Sequence, residues 1–228
     1  NIFRGGETLN LSFLGNWQFR FNDDVRSNEL GASGSLSFPK FLLLPYSMFK
    51  GPIPRTDISV SYNYQDRPEY TRNIISTSYG YSGSVKNKFF YQAYPIQLNI
   101  VRLFNLDKDF YNTLANDPFL RNAYQDHFDL GSGLMLYYTT NAESIPEADY
   151  HYMRFQFDIA GNLLSTFDSL MNQDANGSRM IWNTPYSQFV RGEITLGRTW
   201  FFGRRSGQSV ATRFLAGAGY AYGNSTAL

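Results

Sequence analysis

The sequence predicts an all-β protein, an antiparallel transmembrane β-barrel to which this chain contributes about nine strands. Three observations favour this fold. Apolar and polar residues alternate over stretches of about 11 to 15 residues, which is the period of a strand with two different faces. The polar positions hold mostly Ser, Thr, Asn and Gln rather than Lys and Glu. Aromatic residues make up 18% of the chain, yet no apolar run is long enough for a membrane helix.

Strand length separates a membrane barrel from a soluble sheet. A strand that crosses a bilayer needs about 9–11 residues plus its interfacial ends. Strands of soluble proteins most often have about 5–6 residues. Most of the alternating stretches reach the first value, so their length favours a membrane barrel.

The clearest alternation predicts a hairpin at 57–81. Pro68 cannot donate a hydrogen bond to a sheet, so we place the turn of this hairpin at 66–69. The apolar face of its first strand carries Ile58, Val60, Tyr62 and Tyr64.

The other alternating stretches predict seven more strands. We expect them at about 7–21, 31–41, 90–103, 131–140, 150–164, 188–202 and 210–222. The polar segment 22–29 and the long segment 165–187 are interpreted as loops, and a short helix is expected within 109–117.

The lengths of the connections predict an orientation, because barrels have short periplasmic turns and long external loops. The informative links are the short ones at 83–88 and 203–208 and the long ones at 104–130 and 165–187. We therefore expect even-numbered links in the periplasm and odd-numbered links outside. This places the 66–69 turn outside and the proline-rich 43–56 link in the periplasm.

The strand count predicts an incomplete barrel. Bacterial single-chain barrels have an even number of strands, and open edges cannot stand in lipid because their backbone polar groups would lack partners. The chain also begins at Asn1 without Met. We expect a processed or partial chain in which 1–228 form part of a barrel domain, with closing strands absent from this chain or supplied by another one.

Composition argues against several function classes. The net charge is +1 and Lys and Arg form no run, so we expect no nucleic-acid partner. The absence of Cys excludes disulfides and thiolate chemistry. His127 and His151 have no catalytic or metal-binding spacing, and the acidic stretch 107–129 lacks the spacing of a calcium loop. We expect no enzymatic activity, no cofactor and no metal site.

Charged residues on the polar faces of three strands form the candidate site. They are Arg154, Asp158, Arg191, Glu193 and Arg213. Because ionised groups inside a barrel need partners or water, we expect an ion-pair ladder on the lumen wall, with Asp158 close to Arg191 and Glu193. Such a wall could also dock a loop that folds into the lumen. The glycines expected to leave room for that loop are Gly192, Gly197, Gly217 and Gly219.

Four stretches of the chain are long enough to compare with known families. They are FRGGE at 3–7, SLSFPKFLLLP at 35–45, YNYQDRPEYTRN at 62–73 and AGAGYAYGNS at 216–225. Together they resemble the BamA/TamA superfamily of outer-membrane assembly barrels. The resemblance covers nearly the whole chain and is closest to the lipoprotein branch, the TamL type of the translocation and assembly module. The 62–73 stretch is the most specific of the four.

The resemblance implies an integral protein of the bacterial outer membrane that helps to insert or export client proteins. The family has a sixteen-stranded barrel with a weak seam, periplasmic POTRA domains before it, and an external loop that folds into the lumen. This chain would then supply the third to eleventh strands, without the POTRA domains, the lumen loop or the seam. The implied partners are outer-membrane lipids, client outer-membrane proteins, and a periplasm-spanning TamB-like protein or other assembly subunits.

Two other functions are compatible with the same residues. A passive outer-membrane channel or porin shares every compositional feature, and conductance with a solute preference would favour it. A soluble β-sandwich adhesin is the third interpretation, and partitioning into the aqueous phase without detergent would favour it.

Overall fold

Nine antiparallel strands form one sheet, and each strand pairs with its neighbours in the sequence. The computed structural model describes residues 6–20, 25–42, 54–115, 124–143, 146–174, 177–202 and 208–225. The strands of the sheet are β1 (Thr8–Arg20), β2 (Val25–Phe38), β3 (Arg55–Asp66), β4 (Tyr70–Val85), β5 (Phe89–Leu106), β6 (His127–Thr139), β7 (Tyr150–Ala160), β8 (Phe189–Phe202) and β9 (Gln208–Ala221). The predicted all-β class and the nine strands are confirmed.

The sheet has two edges, β1 and β9. Within the described ranges these two strands form no ladder with each other, so the nine strands do not close into a barrel. Each edge strand therefore pairs on one side only.

The sheet has a polar face and an apolar face, because side chains alternate along each strand and neighbouring strands stay in register. On the polar face, Ser59 lies opposite Ser35 on one side and Ser78 on the other. The hydroxyl oxygens of Ser59 and Ser78 are 2.7 Å apart. On the apolar face, Ile58 lies opposite Leu36.

Large side chains on the apolar face are exposed from one edge of the sheet to the other. The exposed fraction is 84% for Phe13 in β1, 52% for Val60 in β3 and 61% for Phe214 in β9. No second layer covers these side chains among the residues that the structure describes.

A bulge at Pro95 interrupts the alternation of β5. Tyr94 and Gln97 both face the polar side, although they are three residues apart, because the register shifts between them. Pro95 has no N–H for the ladder, and bulges are among the few places where a sheet accepts proline. Its carbonyl accepts a hydrogen bond of 2.7 Å from Ser132 Oγ. The bulge thus keeps both halves of β5 in phase with their neighbours.

The connections lie at two ends of the sheet. The β3–β4, β5–β6 and β7–β8 connections share one end, which we call the loop end. The other end, the turn end, carries the β4–β5 turn, where Lys88 N donates to Val85 O at 3.2 Å. Lys86 and Asn87 have φ values of 54° and 52°, so this is a type I′ turn whose twist matches the strands it joins.

At the loop end, the β3–β4 turn packs against the β5–β6 connection around Tyr70, which is only 5% exposed. The guanidinium groups of Arg67 and Arg72 lie over the Tyr70 ring, 5.9 and 5.2 Å from its centroid. Phe110, in helix α1 (Lys108–Ala115), and Tyr124 contact the same ring at centroid distances of 6.1 and 5.2 Å. This cluster ties two connections together.

The long β7–β8 connection at 161–188 forms a structured platform. Its elements are helix α2 (Asn162–Ser165), a 3-10 turn (Asp168–Leu170) and a small sheet of Asn172–Gln173, Arg179–Ile181 and Thr184–Pro185. Leu164 and Tyr186 of the platform pack with Phe128 of β6, and all three are buried. The platform therefore covers part of the apolar face of β5 and β6 at the loop end.

Tyr186 anchors this packing. Its hydroxyl donates a 2.7 Å hydrogen bond to Asp168 Oδ1, and its side chain is 1% exposed. Burial, and secondly the hydrogen bond to Asp168, raises the pKa of Tyr186 above its ordinary value. The hydroxyl therefore remains a donor throughout the neutral range.

Asn224 fastens the platform to the end of β9. Its Oδ1 accepts a hydrogen bond from Arg179 N at 2.6 Å. Its Nδ2 donates to Arg179 O at 2.9 Å and to Tyr186 O at 2.8 Å. One side chain thus satisfies three backbone groups of the platform, which gives the 216–225 stretch a structural role.

The predicted start of β2 and the predicted end of β7 are wrong. The segment 22–29 was expected to be a loop, but β2 begins at Val25, and Asn16 and Gln18 of β1 lie opposite Glu29 and Ser27. Within β2, residues 26–29 are polar on both faces, so the sequence has no alternation there to detect. The remaining residues of that predicted loop, up to 24, lie outside the described residues.

The other error concerns β7, which was expected to continue to 164. The strand ends at Ala160 because Gly161 takes a φ of 80° and its N–H donates to Leu130 O at 2.9 Å. The chain then turns into α2, and Leu163 is 64% exposed rather than part of the strand face. The short helix expected within 109–117 is confirmed as α1, while most of the 43–56 link lies outside the described residues.

Replacing Asn224 by Ala is expected to loosen the platform selectively. Leaving its buried backbone partners unpaired costs about 1–3 kcal/mol, so amide hydrogen exchange of 177–188 should accelerate by about tenfold or more. Mass spectrometry of deuterated peptides measures this directly. Asn10→Ala, which removes a side chain on the far strand β1, is the matched control and should leave that peptide unchanged. Unaltered exchange of 177–188 in Asn224→Ala would contradict the anchoring role.

Candidate functional site on the polar face

The polar face encloses a cavity of about 980 Å³. Its wall includes Ser59 of β3 and Gly219 of β9, which lie on strands far apart in the sheet order. Strands so far apart can border one cavity only if the sheet curls, so the polar face is the concave one. The β3–β5 side is lined by Ser, Thr, Asn and Gln, and the charged side chains lie on β6–β8.

Asp158 and Arg191 form the central contact of this cavity. They are directly opposite in the β7–β8 ladder, and Arg191 Nε donates to Asp158 Oδ2 at 3.0 Å. The Asp158 side chain is 14% exposed and that of Arg191 57%. The guanidinium also lies over the ring of Phe189, 5.5 Å from its centroid. Asp158 is therefore held, while Arg191 keeps much of its surface open to the cavity.

A polar relay connects Asp158 to Arg154 along β7. Arg154 Nη2 donates to Gln156 Oε1 at 3.1 Å, and Gln156 Nε2 donates to Asp158 Oδ2 at 3.3 Å. The three side chains lie two residues apart, so they share the polar face. Arg154 thus acts on Asp158 through an amide rather than by a direct ion pair.

The other two charged candidates are placed beside glycines. Glu193 lies opposite Gln156 in β7 and Gly217 in β9, and Arg213 lies opposite Gly197. In the described part of the chain, Asp158–Arg191 is the one ion pair between an arginine or lysine and a carboxylate. The expected ladder is therefore reduced to a single ion pair and the Gln156 relay, because Gln156 occupies the rung between the two charges of β7.

The glycines fall into two groups. Gly217 and Gly219 lie on the polar face, opposite Glu193 and Arg191, and line the cavity. Gly192 lies opposite Phe157 and so belongs to the apolar face, contrary to expectation. Residues alternate between the two faces along β8, so Gly192 shares the face of Val190 and Ile194 and not that of Arg191.

Gly197 lies on the polar face but leaves no free space. The ring of Tyr152 occupies the position that a Cβ at Gly197 would take. A further glycine on the polar face, Gly133, was not identified from the sequence. A Cβ at Gly133 would lie 2.8 Å from Asp158 Oδ1 and from Gln97 Oε1, so this glycine makes room for the half-buried carboxylate of Asp158.

A histidine and a carboxylate also lie close together in the cavity wall near the loop end. His127 Nε2 is 3.7 Å from Asp129 Oδ2, and His127 Nδ1 lies 3.1 Å from Gln125 O. The sequence placed His127 in a non-alternating loop, whereas it is the first residue of β6. The period-two signal at 127–130 was missed because it is only two repeats long.

The arrangement is suited to holding a polar or charged ligand or a polypeptide segment. The residues that the structure describes contain no cluster of His, Asp and Glu that could hold a metal ion. The hydroxyl and amide side chains of the wall can donate and accept hydrogen bonds. The Asp158–Arg191 pair adds one negative and one positive charge. As a separate observation, no described helix is long and apolar enough to span a membrane.

Comparisons with family models, with curated proteins and with solved structures found no match for this chain. A function must therefore be argued from the geometry of the sheet and from the four stretches quoted above.

The Asp158–Arg191 contact predicts a measurable coupling. In a double-mutant cycle of Asp158→Asn and Arg191→Gln, a partly exposed pair should give about 0.5–1 kcal/mol of coupling energy. Urea unfolding of the folded protein, followed by tryptophan fluorescence, provides the four free energies. The control cycle pairs Arg191→Gln with Glu193→Gln and should give a coupling near zero. Equal couplings in both cycles would contradict the single ion pair and restore the ladder.

Proposed function

We propose that this sheet is part of the wall of a transmembrane β-barrel in the bacterial outer membrane, and that the barrel inserts or exports client proteins. The observation that carries the membrane assignment is the pairing of an exposed apolar face with a concave polar face. Lipid would cover the first, and water or a polypeptide would fill the second.

The exposed apolar side chains support lipid contact. Phe13 is 84% exposed and Val60 52%, and such residues extend across all nine strands rather than forming a single spot. Contiguous apolar surface on this scale is a liability for a monomer in water. Facing hydrocarbon, the same side chains need no further cover.

The two open edges support a place within a larger barrel. The free sides of β1 and β9 present backbone N–H and C=O groups that lipid cannot satisfy. Strands from the rest of the barrel would satisfy these groups. The assembly role is supported by the 62–73 and 216–225 stretches, which resemble the assembly-barrel family; the seam at which a client strand would pair by β-augmentation is expected outside this chain.

A second candidate function is a passive channel. The specific observation that favours it is the 980 Å³ polar cavity with the half-exposed Arg191 in its wall. A charged side chain that projects into a water-filled lumen is the usual means by which a porin selects solutes.

Two arginine substitutions on adjacent residues of β3 test the membrane wall. Val60→Arg places a charge on the apolar face and should cost about 2–4 kcal/mol in a bilayer. Ser61→Arg places the same charge on the polar face, beside Ser33 and Ser76, and should change stability by about 0.5 kcal/mol or less. The yield of folded, heat-modifiable protein in isolated membranes is the measurement.

These two variants separate the fold hypotheses as well. A sheet with water on both faces would tolerate Val60→Arg as well as Ser61→Arg. A soluble sandwich would bury the apolar face and lose stability with Val60→Arg, but its folded protein would be found in the aqueous fraction without detergent. Equal yields of the two variants, or folded protein in the aqueous fraction, would contradict the membrane wall.

Depletion distinguishes the two functions. Loss of an assembly barrel should lower the amounts of folded client proteins in the outer membrane, as measured by quantitative proteomics and heat modifiability. Loss of a passive channel should leave those amounts unchanged while it reduces solute conductance. Normal client levels after depletion would contradict the assembly role.

A further inference from the structure

A groove on the apolar face carries an inference that rests on the proposed membrane wall and adds a ligand site to it. The groove has a volume of about 500 Å³ and lies between the β4–β5 ladder and the platform. Its lining residues are Asn73, Ile75, Ile100, Arg102, Phe104 and Trp182. We propose that it binds one lipid molecule, with an acyl chain in the groove and a phosphate headgroup on Arg102.

The register fixes which part of the groove is apolar. Ile75 and Ile100 lie opposite each other, and Asn73 and Arg102 form the next rung toward the loop end. Ile75 remains 39% exposed and Phe104 45%. An acyl chain in the groove would therefore run onto the apolar face, with its polar end at the loop end.

Arg102 is the feature that selects the headgroup. It projects from the apolar face near the loop end, and an arginine on a lipid-facing surface is tolerated best near the membrane surface. Its Nη2 donates a 2.6 Å hydrogen bond to Trp182 O, which holds the guanidinium at the rim of the groove. A guanidinium has five N–H donors in a planar fork that matches phosphate oxygens.

Asn73 provides a second polar group at the same rung. Its Oδ1 is buried and has no hydrogen-bond partner in the described residues. Inorganic phosphate would leave the apolar lining of the groove uncovered, whereas an acyl chain covers it. The apolar lining beside Arg102 therefore favours an anionic lipid over a free anion.

Trp182 closes the groove from a tight turn of the platform. It has a φ of 50°, and the following Asn183 has a φ of 60°. These are the two central residues of a type I′ turn between Ile181 and Thr184, the same turn type as in the β4–β5 connection. Trp182 is 73% exposed, and its ring meets Phe128 edge to face at 6.0 Å. An exposed indole at this end of the sheet is suited to the bilayer interface.

Quenching of Trp182 by brominated lipids tests the site. The chain has three tryptophans, so Trp17→Phe with Trp200→Phe leaves Trp182 as its reporter, and every tryptophan in the rest of the barrel is also replaced by Phe. The whole barrel is reconstituted in phosphatidylcholine vesicles that contain brominated phosphatidylglycerol or brominated phosphatidylcholine. Phosphatidylglycerol should be preferred about fivefold, as expected for one basic side chain at an anionic lipid.

Variants identify the residue responsible. Arg102→Gln should abolish the preference, and Arg102→Lys should retain part of it. Arg198→Gln is the matched control, because Arg198 lies in β8 on the apolar face beside Trp200 rather than in the groove, and the preference should persist. Equal quenching by the two lipids in the Trp182 reporter would overturn the site without any variant.

A second reporter separates this site from the proposed wall. Trp182→Phe with Trp200→Phe leaves Trp17, which is 59% exposed on the apolar face of β1. Quenching of Trp17 by brominated phosphatidylcholine is expected, and its absence would contradict the membrane wall itself. Quenching of Trp17 but no quenching of Trp182 by either lipid would mean that protein covers the groove, and would overturn the lipid site alone.

Discussion

The register between neighbouring strands is the constraint on which the rest of the structure depends. A shift of one residue would move every side chain of a strand to the opposite face. The ladders instead keep Ser35, Ser59 and Ser78 on one face across three strands. The bulge at Pro95 preserves this phase, because it returns Gln97 to the face that already holds Tyr94. The cavity, the Asp158–Arg191 pair and the lipid groove all follow from that single phase.

The same register leaves three demands that the described residues do not satisfy. The free sides of β1 and β9 need strand partners, the apolar face needs an apolar cover, and the polar face needs water or a bound segment. Backbone groups at an open edge and large apolar side chains such as Phe13 have opposite requirements. The barrel wall in a bilayer that we propose would meet these requirements together.

How much the sequence predicted depends on how many alternating pairs each element contains. The 57–81 hairpin was predicted well, since Ile58 to Tyr64 alternate without interruption. The start of β2 was missed because its first residues are polar on both faces. The start of β6 at His127 was missed because the alternation there is too short to recognise. Gly192 was assigned to the wrong face, although its neighbours Arg191 and Glu193 on the polar face already fix its phase. The platform and its fastening by Asn224 depend on contacts 38 and 45 residues apart, which no local pattern reports.

The central claim is that one face of this sheet contacts lipid and the other contacts water. The chain contains no Cys, so a single cysteine can be placed at each position from 58 to 63 in β3 and labelled with a nitroxide. Electron paramagnetic resonance in reconstituted vesicles then measures access of oxygen, which concentrates in lipid, and of a water-soluble nickel complex. The account predicts strict alternation, with oxygen access at Ile58, Val60 and Tyr62 and nickel access at the residues between them. Nickel access on both faces would contradict it.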